Sequence, residues 1–236
     1  KRSFSTQDLV NCVPNPHNCG GSGGCHGATV ELAMNWIASN GLRTLDESPY
    51  SGADSECYTS LLSTDRTDTA TGSIFRYDDA DLENMIAVGQ HNVRSGGEGA
   101  SIGLKYWTRL PENEYAPLLT HLVQHGPLAV SVSASDWYAY SDGIFDTCNV
   151  DAVIDHAVVL FGYGVDSQRG LKFWDLKNSW GSFWGRNGNI RLLREDNIKC
   201  GIDRQPQVGT GCDGGPKEVK VCGMCGILYD VVSVAM

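Results

Sequence analysis

Two segments of the chain place apolar residues three and four positions apart, which is the spacing of one helical face. The first segment carries Leu32, Ala33, Trp36 and Ile37, and the second carries Leu118, Leu119, Leu122 and Val123. Gly41 and Pro127 follow these segments and are residue types that end helices. Upstream of both, Ser5 and Asp8 have the spacing of a capping box, so we also predict a short helix that begins at Ser5.

The pattern changes to that of β-strands in the second half of the chain. Residues 128–132 alternate, residues 158–161 are all apolar, and two further runs cover residues 171–176 and 190–193. Gly-rich turns separate these runs, as expected for strands of a sheet. Residues 44–100, by contrast, are mostly polar with Asp and Gly clusters, and we predict them mostly as loops.

Together these patterns predict an α+β protein with two lobes. The helix-and-loop lobe takes residues 1–110 and carries an insertion at about residues 59–100. The antiparallel β lobe takes residues 111–236. A length of 236 residues suits one large domain or two small ones.

The composition narrows the possible functions. Lys and Arg number 18 against 28 Asp and Glu, which gives a net charge of −10. This balance argues against nucleic acid and anionic membrane surfaces as partners, since both need a basic face. No apolar run is long enough to span a membrane. Nine cysteines are typical of a secreted or luminal protein, and their odd number leaves one thiol free or paired outside the chain.

Three short segments of the β lobe combine residue types that serve nucleophilic catalysis. They are Asp155-His156-Ala157, Gly162-Tyr163-Gly164 and Lys177-Asn178-Ser179-Trp180-Gly181. A histidine at a strand start can act as a general base near neutral pH, and an asparagine on the next strand can accept its N–H and fix the tautomer. Such a histidine would activate a thiol as a thiolate–imidazolium pair. Because a single histidine is more often structural, the prediction depends on the combination.

These segments, in this order, resemble the papain-like cysteine peptidases, the relatives of cathepsins L and B. Residues 7–12, Gln-Asp-Leu-Val-Asn-Cys, resemble the family's helix-to-disulfide segment, and residues 24–28 resemble its Gly-Cys-Asn-Gly-Gly loop. Pro49-Tyr50, residues 127–132 and residues 143–145 also match. The resemblance covers most of the chain apart from about residues 59–100 and 199–221. It implies the papain-like two-lobe fold, with a β-barrel-like second lobe, and hydrolysis of peptide bonds.

The resemblance also implies the roles of individual residues. His156 would be the catalytic base, Asn178 its orienting partner, and Trp180 the shield of the bond between them. Gly27 and Ala28 would hold an extended substrate through their backbones. Ala28 stands where the family has Gly, so its φ must be negative.

A substrate pocket for the second residue before the scissile bond follows from the same comparison. Its lining would include Thr29, Val30, Ser131, Ile154, Asp155 and Ala157. Its floor would be Asp230, or Val231 if the correspondence slips by one residue. A carboxylate at the end of an otherwise apolar slot would pair with a substrate arginine.

No segment of the chain matches the family's Cys-Gly-Ser-Cys-Trp nucleophile motif or the glutamine before it. Cys25 lies at a suitable distance before His156, but His26 follows it instead of Trp, and Cys19 stands where the glutamine should be. We therefore expect the chain to start downstream of the nucleophile and the oxyanion glutamine, and to be inactive alone. Cys25 would then form a disulfide with a cysteine in that missing segment.

For the other cysteines, the resemblance implies the disulfides Cys12–Cys57 and Cys148–Cys225. It offers no template for the rest, among which a pairing of Cys212 with Cys222 is weakly favoured. A rival interpretation is a zinc site formed by Cys200, Cys212, Cys222 and Cys225. An oxidising compartment disfavours such a site, so we expect no metal.

The complete protein is therefore predicted to be a cysteine-type endopeptidase that needs no cofactor and acts on peptide or protein substrates. Its setting would be a lysosomal or vacuolar lumen or the outside of the cell. Its partners would include the missing N-terminal segment of the same precursor and cystatin-like inhibitors. Two alternatives stay open: a non-catalytic pseudo-peptidase that binds peptides or protein partners, and a nicked enzyme whose first piece stays attached through Cys25.

Overall fold

The computed structural model describes residues 3–57, 91–92 and 102–236. The predicted insertion at about residues 59–100 therefore lies almost wholly outside the described residues. The helices of the described part are α1 (Thr6–Cys12), α2 (Val30–Asn40) and α3 (Tyr115–His125). None of the helices in these ranges is long and apolar enough to cross a membrane.

The three helices follow the predicted pattern. Ser5 caps α1, because its Oγ accepts a hydrogen bond from the backbone N–H of Asp8 at 2.9 Å. Gly41 is the C-cap of helix α2, and Gly126, directly before Pro127, is the C-cap of α3. The buried side chains of α2 and α3 are Leu32, Ile37, Leu118 and Leu122.

Ten strands complete the described elements. They are β1 (His91–Asn92), β2 (Tyr106–Arg109), β3 (Leu128–Val132), β4 (Ile144–Phe145), β5 (His156–Val165), β6 (Lys172–Lys177), β7 (Asn189–Leu193), β8 (Cys200–Asp203), β9 (Val219–Cys222) and β10 (Asp230–Ala235). Eight strands form one sheet in the order β1-β2-β10-β3-β5-β6-β7-β4, and β8 pairs with β9 separately. Within the eight-stranded sheet, only the β4–β7 pairing is parallel.

The main sheet is open, since within the described residues its order has two ends, at β1 and β4. The expected barrel-like lobe thus does not close. The C-terminal strand β10 lies between β2 and β3 and pairs with both. As a result, β2 belongs to this sheet although it precedes the boundary predicted at residues 110–111.

The main hydrophobic core combines α3 with the sheet. Its fully buried side chains include Leu118, Trp137, Leu160, Trp174 and Leu192. Burying a side chain of this size contributes about 1.5–3 kcal/mol. A smaller cluster of Ala152, Ile154, Val221 and Tyr229 lies under the β8–β9 pair.

Four disulfides join eight of the nine cysteines. Cys12–Cys57 and Cys148–Cys225 are paired as the resemblance implied. The weakly favoured Cys212–Cys222 pairing is wrong, because the structure contains Cys19–Cys212 and Cys200–Cys222. Cys200 and Cys222 are register partners on β8 and β9, whereas Cys212 lies in the loop between these strands and reaches back to Cys19. The four cysteines of the rival zinc site are thus all in disulfides.

Candidate active site

Strands β5 and β6 bring His156 and Asn178 together. His156 is the first residue of β5, and Asn178 directly follows the last residue of β6. The two strands pair antiparallel, with Val159 opposite Lys177. This pairing places Nε2 of His156 2.8 Å from Oδ1 of Asn178, across 22 positions of sequence.

The hydrogen bonds around Asn178 define which nitrogen of His156 carries a proton. Oδ1 of Asn178 also accepts the backbone N–H of Ser179 at 2.8 Å. Because a backbone N–H can only donate, the atom that faces His156 is an acceptor, and Nε2 is the donor. Nδ1 is then left to take up or deliver a proton on the other side of the ring. Asn178 is 4% exposed, so water does not compete for this bond.

Aromatic rings surround His156. The Trp180 ring lies beside it at a centroid distance of 5.3 Å, and the Trp137 ring is perpendicular to it at 6.2 Å. Tyr138 stacks on Trp180 at 4.9 Å. Sequence motifs identified Trp180 but not Trp137 and Tyr138. In the sequence, these two residues are marked only as consecutive aromatic residues within a polar segment.

His156 faces an open cavity of about 190 Å³. The cavity is lined by Ala134, Ser135, Tyr138, Asp155, His156 and Trp180. Oδ1 of Asp155 accepts the backbone N–H of Ala134 at 2.8 Å, which ties β5 to the segment after β3. Partial burial raises the pKa of Asp155, and the bond from Ala134 opposes this shift. A proton-transfer group therefore lies in a space that a small group of a substrate can enter.

Asp230 occupies a different environment, since it is only 2% exposed. Its carboxylate accepts hydrogen bonds from Nε of Arg109 at 2.9 Å and from Oγ of Ser131 at 2.5 Å. Both oxygens are thus engaged by groups of the same chain. The geometry gives no support to the expected pairing with a substrate arginine, because Arg109 already fills that role. The alternative floor residue, Val231, is part of the main core.

Arg109 lies close to three carboxylates. Besides Asp230, it lies 2.9 Å from Glu112 and 3.5 Å from Glu31. Burial, followed by the charge of Asp230, raises the pKa of Glu31 to about 8, although Arg109 opposes this shift. Burial alone would lower the pKa of Arg109, but the carboxylates of Asp230 and Glu31 raise it above its usual value. Arg109 therefore stays charged although it is buried.

The other residues predicted to line the pocket differ from one another in burial and in their neighbours. Thr29 lines a cavity of about 260 Å³ that also touches Glu31 and Arg109. Ile154 is fully buried in the smaller cluster, whereas Ala157 is exposed and Val30, the first residue of α2, is half-buried.

In the loop before α2, the φ angles of Gly27 and Ala28 suit a glycine and an alanine, respectively. Gly27 has a φ of 100°. Ala28 is not among the described residues with positive φ, so the alanine fits where the family has Gly.

Cys25 is the one cysteine without a disulfide, and all nine lie within the described residues. Its backbone N–H donates to Oδ1 of Asp54 at 2.6 Å. Desolvation, followed by a separate side-chain hydrogen bond between the thiol and Asp54 and by the charge of Asp54, raises the pKa of the Cys25 thiol. A nucleophilic cysteine needs the opposite shift, toward the thiolate.

Comparison with known proteins adds to this geometry. The profile of the papain family cysteine proteases matches residues 1–210. The chain is 28% identical over 204 residues to cathepsin L of Sarcophaga peregrina, covering 85% of this chain and 48% of that protein. It is 32% identical over 206 residues to the KDEL-tailed cysteine endopeptidase CEP2 of Arabidopsis thaliana, covering 85% of this chain and 45% of that protein. The chain thus spans about half the length of these curated relatives.

Solved structures share the fold. Procathepsin L 3 from the larval midgut of Tenebrio molitor, a digestive enzyme, superposes with a TM-score of 0.61 at 25% identity, covering 100% of this chain and 56% of that one. The bromelain protease of Ananas comosus superposes with a TM-score of 0.59 at 22% identity, covering 100% of this chain and 79% of that one. The profile match over most of the sequence shows that the chain belongs to the papain family of cysteine proteases.

Proposed function

We propose that the full-length protein hydrolyses peptide bonds as a cysteine-type peptidase, with His156 as its proton-transfer group. The observation that carries this proposal is the hydrogen bond between Nε2 of His156 and the buried Asn178, on a ring that also lines an open cavity. A thiolate attacks the peptide carbonyl carbon, and the imidazolium of His156 gives its proton to the leaving amine. Water, deprotonated by His156, then attacks the resulting thioester, which releases the acid and the thiol.

The nucleophile of this reaction is proposed to lie outside these 236 residues. Eight cysteines are in disulfides, and the surroundings of Cys25 favour its protonated thiol. The nucleophile and the oxyanion glutamine would then be supplied by another segment of the protein, to which Cys25 would be joined by a disulfide.

An exposed apolar stripe on β5 supports the existence of such a segment. Val159, Phe161, Tyr163 and Val165 point to one face of the strand and are 42% to 56% exposed. A contiguous exposed apolar surface of this kind is typical of a face that another part of the protein covers.

The four disulfides and a structural relative support proposals for the compartment and the partners. We propose a lysosomal or vacuolar lumen or the extracellular space, because four disulfides persist only in an oxidising environment. The partners would be peptide or protein substrates and cystatin-like inhibitors. An N-terminal segment of the same precursor is a further expected partner, since one of the structural relatives is described as a procathepsin.

Hydrolysis of fluorogenic peptide reporters by the full-length protein tests this proposal. His156→Ala is expected to lower kcat/KM by about 10²–10⁴-fold, because it removes the proton-transfer group. His125→Ala is the matched control, since His125 is an exposed residue at the end of α3. Equal activity of the two variants would remove His156 from the mechanism. A wild-type protein without any activity would favour the non-catalytic alternative.

A further inference from the structure

The loop between β8 and β9 contains a segment, residues 205–212, that we call the strap. It begins with a tight turn at Pro206–Val208 and ends at Cys212, which is joined to Cys19. The profile match reaches residue 210, but none of the motifs that carry the resemblance lies in the strap, so they assign it no role.

Gly209 of the strap packs directly against the start of β5. Its φ is −138°, so the backbone itself would accept any residue. A Cβ atom built on Gly209 would nevertheless collide with the carbonyl oxygen of Ile154 and would lie 2.9 Å from Cα of Asp155. The strap therefore approaches the backbone of Ile154 and Asp155 as closely as a glycine allows.

The opposite side of the strap contacts the loop before α2. A Cβ atom built on Gly20 would collide with the carbonyl oxygen of Gly209 and would lie 3.4 Å from the carbonyl carbon of Ala28. The backbone N–H of Gly20 also donates to the carbonyl oxygen of Gly211 at 3.0 Å. The strap thus lies between Gly20 and the backbone of Ile154 and Asp155.

Both ends of the strap are anchored. Asp203 is fully buried, and its carboxylate accepts the N–H of Ile154 at 3.0 Å and the N–H of Gln205 at 2.7 Å. At the other end, the Cys19–Cys212 disulfide is followed by a hydrogen bond from the N–H of Asp213 to the carbonyl oxygen of His17 at 2.8 Å. These anchors hold the strap in place when a substrate approaches.

The position of the strap conflicts with that of an extended substrate. The family resemblance assigns the backbone of Ala28 to an extended substrate, and it assigns Ile154 and Asp155 to the pocket for the second substrate residue before the scissile bond. The strap lies against the backbone of Ile154 and Asp155 on one side, and on the other side it contacts Gly20, which packs on Ala28. The cavity at His156, in contrast, has no strap residue in its lining. The strap therefore lies on the N-terminal side of the cleft, where Pro206, Thr210, Gly211 and Cys212 also border the cavity of about 260 Å³ at Thr29.

We propose that the strap leaves room for only one substrate residue on the N-terminal side of the scissile bond. It closes the cleft beyond that residue. The assembled enzyme would then remove single residues from free N-termini rather than cut internal bonds. This proposal rests on the proposed peptidase function and narrows the endopeptidase activity expected from the sequence.

The test compares two kinds of reporter with the full-length protein. One kind is a single arginine or leucine with a free amine on aminomethylcoumarin, and the other is the N-terminally blocked dipeptide benzyloxycarbonyl-Phe-Arg-aminomethylcoumarin. The wild type is expected to prefer the single-residue reporters by about tenfold or more in kcat/KM. Gly209→Val, which pushes the strap off Ile154, should raise cleavage of the blocked dipeptide by a similar factor. Val208→Ala is the control, since Val208 lies in the same turn and is half exposed to solvent.

A second variant keeps the test valid if Gly209→Val does not fold. The double variant Cys19→Ser/Cys212→Ser cuts the anchor without adding bulk and should also raise cleavage of the blocked dipeptide. The proposal is overturned if the wild type cleaves the blocked dipeptide as well as the single-residue reporters. It is also overturned if folded strap variants leave the reporter preference unchanged. If no variant cleaves any reporter, the peptidase function itself fails, and the strap proposal fails with it.

Discussion

The His156 end and the Asp230 end of the candidate site differ in what surrounds their reactive groups. The His156 ring borders a cavity of about 190 Å³, with Asn178 buried behind it. The Asp230 carboxylate is 2% exposed and is bonded to Arg109 and Ser131. The same family resemblance predicted a role in substrate chemistry for both ends. The His156 ring lines a cavity, whereas the Asp230 carboxylate is not part of the lining of the cavity at Arg109 and Glu31.

The difference reflects how each end is assembled. His156 and Asn178 meet through the pairing of two strands that are consecutive in sequence, 22 positions apart. Asp230 meets Arg109 across 121 positions, through the pairing of β2 with β10. Residues placed by one local pairing are more safely inferred from a motif than residues whose surroundings come from distant segments.

Removal of the cation at the Asp230 end is expected to have the largest effect on stability. Arg109→Met leaves the buried carboxylate of Asp230 without its charged partner, which should lower the free energy of unfolding by about 3–5 kcal/mol. Arg204→Met, at an exposed ion pair with Asp151, should have a far smaller effect, because solvent screens that pair. Urea denaturation of the full-length protein measures both. Similar losses in the two variants would mean that the Asp230 end is not a buried electrostatic site.

At the His156 end, the main expected effect is on catalysis. Asn178→Ala removes the acceptor that orients the ring, so kcat should fall by about 10²-fold, as expected when a catalytic group is misplaced. Asn40→Ala, on the exposed end of α2, serves as the control. Steady-state kinetics with a peptide reporter separates kcat from KM. An unchanged kcat would show that the His156–Asn178 bond is structural only.

The pH dependence of stability distinguishes the two ends further. The pKa of Glu31 is raised to about 8 in the folded state, so the folded protein binds this proton more tightly than the unfolded chain does. Its stabilising contribution is fully present below the ordinary carboxyl pKa and is lost as the pH rises through about 8. Glu31→Gln mimics the protonated form and should reduce the loss of stability between about pH 5 and 8. Equal pH slopes for the variant and the wild type would contradict the assignment.

The smallest expected effect lies outside both ends, at the cap of α1. Ser5→Ala removes the acceptor for the N–H of Asp8 and the donor to the carbonyl oxygen of Ser48, so it should lower the free energy of unfolding by about 1–2 kcal/mol. Thr6→Ala, at an exposed neighbouring position, should have almost no effect. Thermal unfolding of both variants measures the loss of stability that each substitution causes. If Ser5→Ala lowered the free energy of unfolding as much as Arg109→Met does, the large effect expected for Arg109 would not be specific to the buried carboxylate of Asp230.

The sequence predicted those parts of the molecule whose signals are local. Apolar spacing and end residues identified α2 and α3, and one motif identified the His156–Asn178 pair. Strand β10 gave no alternating pattern, because its first four residues are all buried. The Cys19–Cys212 disulfide and the ion pair of Arg109 depend on contacts between segments that are far apart in the sequence. Short-range patterns carry no information on such contacts.

The central claim, that His156 serves a nucleophile outside this chain, is tested most directly by labelling the full-length protein with an epoxide that alkylates papain-type thiols. Peptide mass spectrometry then maps the label. We expect a label on a cysteine other than the nine in this chain, and loss of that label in His156→Ala. A label on Cys25 would contradict this claim and would place the nucleophile in the Gly24–His26 turn. The absence of any label would contradict the peptidase function itself.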